Sequence, residues 1–155
     1  MPAIVERIVS GGQTGVDRAA LDAALILGIP AGGWCPRGRR AEDGPIPSHY
    51  PLKETDAAGY RPRTRRNVDE SDGTVILAWG PLAGGTRFTA AYAAHRGRPH
   101  AMVDLVQWSD ADVERVRAWL AAHAIRTLNV AGPRASQAPG AYDAARAFIT
   151  ALLGG

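Results

Sequence analysis

Five short, β-branched apolar runs alternate along this chain with stretches of helical spacing, and that alternation leaves few architectures open. Ile4 to Val9, Ile29 to Trp34, Thr74 to Trp79, His100 to Leu105 and Arg126 to Ala131 read as strands. Between the first two, Val16, Ala20, Ala23, Ala24 and Leu27 fall on one face of a helix that stops at Gly28. Arg61 to Glu70 spells one or two helical turns, and Thr86 to His95 a helix of small residues. Ser109 can cap a helix from Asp110 to His123, and Ala141 to Leu153 supplies the last one. Strands separated by helices are expected to pair in parallel, because parallel neighbours need long crossover connections. The predicted fold is therefore one α/β domain over residues 1–155, a mostly parallel sheet of about five strands with helices on both faces.

In such a sheet, ligands sit at the carboxyl edge of the strands. Two glycine-rich turns lie on that edge: "SGGQTGVDRAAL" from Ser10 and "GPLAGGT" from Gly80. Backbone N–H groups at a helix start suit an anion. Neither common nucleotide fingerprint fits. Gly11-Gly12-x-x-Gly15 is not G-x-G-x-x-G, the second strand does not end in an acidic residue, and no lysine follows the glycines as a P-loop requires. From Cys35 to Tyr60 the chain is rich in proline and glycine and has little periodicity, the mark of a functional lid or binding loop.

Arginine placement gives a second clue. Seventeen of the 18 basic residues are arginine and one is Lys53. A cation in the first turn of a helix opposes the helix dipole by a few tenths of a kcal/mol up to about 1. Yet Arg18 opens the first helix, Arg87 opens the one after "AGGT", and Arg134 precedes the last. The helix at Asp110 instead starts with Asp110, Asp112 and Glu114, as the dipole prefers. Three cations on the wrong end point to a small-molecule anion that reverses the sign. Other readings stay open for the single residues. Glycines at such turns also serve positive φ or close packing, Asp17 also serves as a dipole partner, and Arg61, Arg63, Arg65 and Arg66 form a solvated face with one or two members turned inward.

Several classes are excluded by composition. The net charge is +3, and the densest basic stretch, Arg37 to Arg66, also carries Glu42, Asp43, Glu54 and Asp56, which argues against nucleic acid. One cysteine, Cys35, leaves no disulfide framework, and the four histidines show no ligand spacing, so no metal site is expected. With neither a leader nor an eighteen-residue apolar run, the chain is expected to be cytoplasmic and not membrane-bound. Alanine-rich faces at Ala90 to Ala94 and Ala144 to Ala147 would allow a homo-oligomer, although core packing explains them equally.

Six stretches together resemble the molybdenum cofactor carrier family: "SGGQTGVDRAALDAA" from Ser10, "GWCPRGRRAEDGPIP" from Gly33, "Y.L.ET" from Tyr50, "R..NV..SDGTVIL" from Arg63, "GGTRFT" from Gly84 and "LNVAGPRAS..PG.Y" from Leu128. The resemblance implies a Rossmann-like fold, kin to lysine-decarboxylase-like nucleotide phosphoribohydrolases. It implies a binding protein that holds molybdenum cofactor, a phosphate-bearing pterin carrying an oxo-metal, and passes it to molybdoenzymes. Its site would comprise Ser10, Gly11, Gly12, Gln13, Thr14, Gly15, Asp17 and Arg18 on the first turn, Gly84, Gly85, Thr86 and Arg87 on the second, and Arg134. The related hydrolases carry a glutamate in a P-G-G-x-G-T-x-x-E turn. Here the turn is shorter and Thr89 stands in the acid's place, and threonine cannot serve as a carboxylate base. No catalytic residue is therefore expected. The alternatives are a nucleotide sensor and a phosphoribohydrolase-like enzyme that recruits Asp17 or Asp72 as its acid.

Overall fold

The computed structural model describes residues 5–154. The start of the first predicted strand, Ile4, lies outside them. In chain order the elements are β1 (Arg7–Val9), α1 (Val16–Leu27), β2 (Ala31–Gly32), β3 (Trp34–Cys35), β4 (Arg40–Ala41), β5 (Gly44–Pro45), β6 (Lys53–Glu54), α2 (Tyr60–Asp69), β7 (Gly73–Ala78), α3 (Gly84–His95), β8 (His100–Asp104), α4 (Asp110–Ala122), β9 (Thr127–Ala131) and α5 (Ala141–Leu153). A five-stranded sheet runs β2-β1-β9-β7-β8, and every pairing in it is parallel.

Strand alternation divides the core. Val75, Leu77, Leu128 and Val130 join Ile8 and the apolar faces of α1, α4 and α5, with Phe148 at the centre meeting Trp108 edge-on. Thr74, Ile76 and Asn129 alternate with them and are buried as well, and α3 packs on β7 and β8. Local chemistry sets the helix ends. Gly28, at φ 74°, closes α1 by donating its N–H to the carbonyls of Ala24 and Leu25. At α4 the Asp112 carboxylate accepts the Ser109 N–H at 3.0 Å.

One predicted strand is two. Ile29 to Trp34 splits at Gly33, whose φ of 125° turns the chain out of the main sheet. β2 pairs with β1, whereas β3 pairs in parallel with β6. A Cβ on Gly33 would stand 2.3 Å from the Ser10 carbonyl, so the turn also needs the missing side chain. The segment read as a loop, Cys35 to Tyr60, has its own order: β4 and β5 form a small antiparallel ribbon beside the β3–β6 pair. Arg39 fastens it, its guanidinium donating to the carbonyls of Ile46, Pro47, Tyr50 and Leu52 at 2.7 to 3.4 Å.

Because β9 lies between β1 and β7, the chain leaves β1 toward one edge and β7 toward the other. The two glycine-rich turns therefore flank the loop that follows β9, "GPRAS", at the crevice where such sheets bind ligands.

Candidate functional site

The first glycine turn is filled by the protein itself. A Cβ on Gly11 would lie 1.8 Å from Nη1 of Arg63, so Gly11 exists where that guanidinium must lie against the backbone. Gly12, at φ 77°, is packed by Leu52 and Ile46, and a Cβ on Gly15, at φ 79°, would come within 2.5 Å of the Pro133 carbonyl. The N–H groups are engaged too. Gly12 donates to Ser10 Oγ at 3.4 Å, Gln13 to Asp17 Oδ2 at 3.4 Å, Thr14 to Gln13 Oε1 at 3.0 Å and Val16 to the Pro133 carbonyl at 3.2 Å. The anion that this turn faces is the chain's own carboxylate, Asp17.

The second turn is different. Ala83 at the N-cap of α3 has no side chain that could cap it. A Cβ on Gly85 would meet nothing within 4 Å, and one on Gly84 only the far end of Gln137 at 3.7 Å. These glycines open onto a cavity of about 430 Å³, whose wall also includes Gly11, Gln13, Asp17, Thr86, Thr89 and Arg134. α2 contributes Tyr60, Arg61, Arg63, Thr64 and Asn67, α3 adds Phe88, and Asn129 and Gln137 complete the polar lining. Of the residues expected at the site, Gly11, Gln13, Asp17, Gly84, Gly85, Thr86 and Arg134 meet at this cavity. Ser10, Gly12, Thr14, Gly15, Arg18 and Arg87 are not on its wall.

Two of the three arginines singled out by the dipole argument thus stand elsewhere. Arg18 forms a bidentate pair with Asp43 at 2.6 and 2.8 Å, and its Nε donates to the Gly12 carbonyl at 3.1 Å. An internal carboxylate therefore answers the conflict at this helix start. Arg87 is exposed on α3. Arg134 remains on the wall, with its Nε 3.8 Å from Glu42 Oε1. Burial would raise the Glu42 carboxyl, but hydrogen bonds from Ser136 and Thr14 and the charge of Arg134 hold it below its ordinary range.

The positive charge comes instead from α2. Arg61 stacks over the Phe88 ring at 4.6 Å, and Arg63 lies 5.3 Å from the centre of the Tyr60 ring. Arg63 is fixed mainly by its own helix: Nε donates to the Tyr60 carbonyl and to Thr64 Oγ1, each at 3.1 Å. Its Nη1 reaches Asp17 Oδ2 at 3.5 Å, with the two side chains 12% and 9% exposed. Burial pushes Asp17 up from 3.8 to about 6, against the opposing pull of Arg63, the N–H groups of Gln13 and Gly11, and Arg18. The inward-turned member of the arginine helix is therefore Arg63, while Arg61 borders the cavity and stays exposed. Arg66 stacks on Trp34 at 3.7 Å and is half-exposed.

The enzyme alternative loses one of its acids. Asp72 lies ahead of β7, at the amino edge of the sheet, where its Oδ2 accepts the N–H groups of Arg126 and Thr127 at 3.0 and 2.9 Å. Thr89 is on the cavity wall, and its hydroxyl donates to the Gly85 carbonyl at 2.9 Å.

No described helix is long and apolar enough to cross a membrane. Comparison with curated proteins gives no match. Among solved structures, a protein from Syntrophus aciditrophicus SB, named "Putative molybdenum carrier protein", is 41% identical. Its TM-score is 0.96, and the match covers 99% of this chain and 98% of that one. The family profile described as "Circularly permutated YpsA SLOG family" matches residues 8–153, nearly the whole parallel sheet and all five helices, so the chain belongs to that family.

Proposed function

We propose that this chain is a binding protein for molybdenum cofactor, or for a related phosphate-bearing pterin, which it carries to molybdoenzymes. The observation that carries the reading is the charge and shape of the cavity. Arg61, Arg63, Arg134 and the open glycine start of α3 line a cavity of about 430 Å³, within the usual range for small-molecule sites, and among the described residues Asp17 is the one carboxylate on its wall. The phosphate would lie at Gly84, Gly85 and Thr86 with Arg134 beside it, because unfilled N–H groups and the helix dipole both favour an anion there. The flat bicycle would lie against Phe88, Arg61 and Tyr60, whose faces suit a heteroaromatic ring. The name of the Syntrophus aciditrophicus protein supports the choice of cargo.

Among the described residues the wall offers binding groups and no second carboxylate to divide acid and base work with Asp17. A carrier without turnover is the simplest account. Mass spectrometry of the ligand retained through gentle purification tests it, together with an assay for release of free base from nucleoside monophosphates. The expected outcome is a retained pterin and negligible base release. A retained purine would make the chain a nucleotide sensor, and rapid base release would make it an enzyme with Asp17 as the residue to test.

A further inference from the structure

The Asp17–Arg63 pair occupies the inner wall of the cavity, and its geometry differs from that of a structural salt bridge. The contact is single, at 3.5 Å, whereas Arg18 and Asp43 meet through two short bonds. Arg63 is oriented by the Tyr60 carbonyl, by Thr64 and by the backbone at Gly11, so Asp17 is not needed to hold it. Asp17 is itself held by the Gln13 N–H and is buried at the cavity surface. An anion that approaches the Nη atoms of Arg63 must therefore come up against the Asp17 carboxylate. A second negative charge this close disfavours ionisation of both groups in a buried site, and a proton shared between them relieves the repulsion.

We propose that Asp17 selects, among the oxyanions that reach Arg63, those that bring a proton of their own, as a phosphate or a protonated oxometalate does and a sulfate does not. The O–H of the anion donates to the Asp17 carboxylate while its other oxygens accept from Arg63. A sulfate has no such hydrogen, and its entry requires a proton from solvent on Asp17. This inference rests on the reading of the cavity as an anion-binding site and adds to the position at α3 a second one, at Arg63.

The surroundings of Asp17 fit that role. Arg63 faces it from α2, Arg18 lies behind it on α1, and the N–H groups of Gly11 and Gln13 point at it from the first turn. Tyr60, Arg61 and Arg134 line the same cavity, and α3 adds no charged side chain to the wall. Among the described residues Asp17 is the single acid on that wall, so no other carboxylate can take the proton. Burial already brings its protonation to about 6, close enough to neutrality for the state of the group to depend on what binds beside it.

The test uses inorganic sulfate and inorganic phosphate as probes at constant ionic strength, with affinities read from the amide signals of Gly11 and Gln13. At about pH 5.5 the two anions should bind within a few-fold of each other. At about pH 8, two pH units above the Asp17 midpoint, sulfate should weaken by about 100-fold, because each unit costs a factor of ten when a proton must be taken up. Phosphate, which still carries a hydrogen there, should lose less than about tenfold by the same linkage. Asp17→Asn should bind sulfate equally at both pH values, since its amide can donate to either anion. The wild-type pH dependence stands alone if that variant does not fold. Equal binding of sulfate and phosphate by the wild type at the higher pH would overturn the proposal, as would selectivity that survives Asp17→Asn. Shifts confined to the amides of Gly84 to Thr86 would overturn it while leaving the phosphate site at α3 intact. No response at either place would remove both.

Discussion

The buried carboxylate of Asp17 makes a prediction that needs no ligand. Its protonation midpoint rises from 3.8 in the ordinary chain to about 6 in the fold, chiefly because burial strips water from the charge. A folded state that binds a proton more tightly than the unfolded state is favoured at low pH. The stabilisation is fully present below about pH 3.8, is lost as pH rises through about 6, and stays lost above that. A shift of this size corresponds to about 3 kcal/mol, at 1.36 kcal/mol per unit. Asp17→Asn keeps an oxygen for the Gln13 N–H and cannot ionise, so it isolates the effect. Urea unfolding of both proteins from about pH 4 to about pH 8 should show the variant gaining on the parent by about 2–3 kcal/mol, with nearly all of the change below pH 7. The offset between the two at a single pH carries other contributions and is not the measure; its change with pH is. A difference that stays flat across that range would refute the reasoning, because it would mean that Arg63 and the backbone N–H groups fully replace the lost water.

Other perturbations separate packing from binding. Gly15→Ala places a Cβ 2.5 Å from the Pro133 carbonyl at a positive φ and should destabilise the fold by about 3 kcal/mol, measured by urea unfolding. Gly85→Ala has open space around it and should leave stability equal or raise it by up to about 1 kcal/mol, while weakening phosphate binding at α3. Arg18→Gln loses the partner of a half-exposed Asp43, so it should cost about 0.5–1 kcal/mol and a few degrees of Tm, with phosphate affinity at α3 unchanged. Arg39→Lys replaces a planar fork that serves four carbonyls and should cost about 2 kcal/mol. Limited proteolysis between Arg40 and Glu54 should accelerate accordingly.

The period of the apolar residues determined the architecture. β-branched runs and helical faces state which segments are strands and helices, and parallel pairing follows from the crossovers between them. The glycine turns, the carboxyl edge and the position of Arg134 were legible for the same reason, since each is local or follows from strand order. Which turn is open was not. Both read alike in sequence, and only the approach of Arg63, Ile46, Leu52 and Pro133 from distant segments closes the first. The pairing of Arg18 with Asp43, 25 residues on, likewise cancels a dipole conflict that looked like evidence for a ligand. The helix of arginines reads as a solvated face with one or two members turned inward, but which one is not legible, because a guanidinium buried against a glycine backbone and an aromatic ring is a contact that no periodicity records. Sequence fixes what each segment can become, whereas the charge balance of a cavity depends on which side chains meet across the chain, and that is decided only when the segments pack.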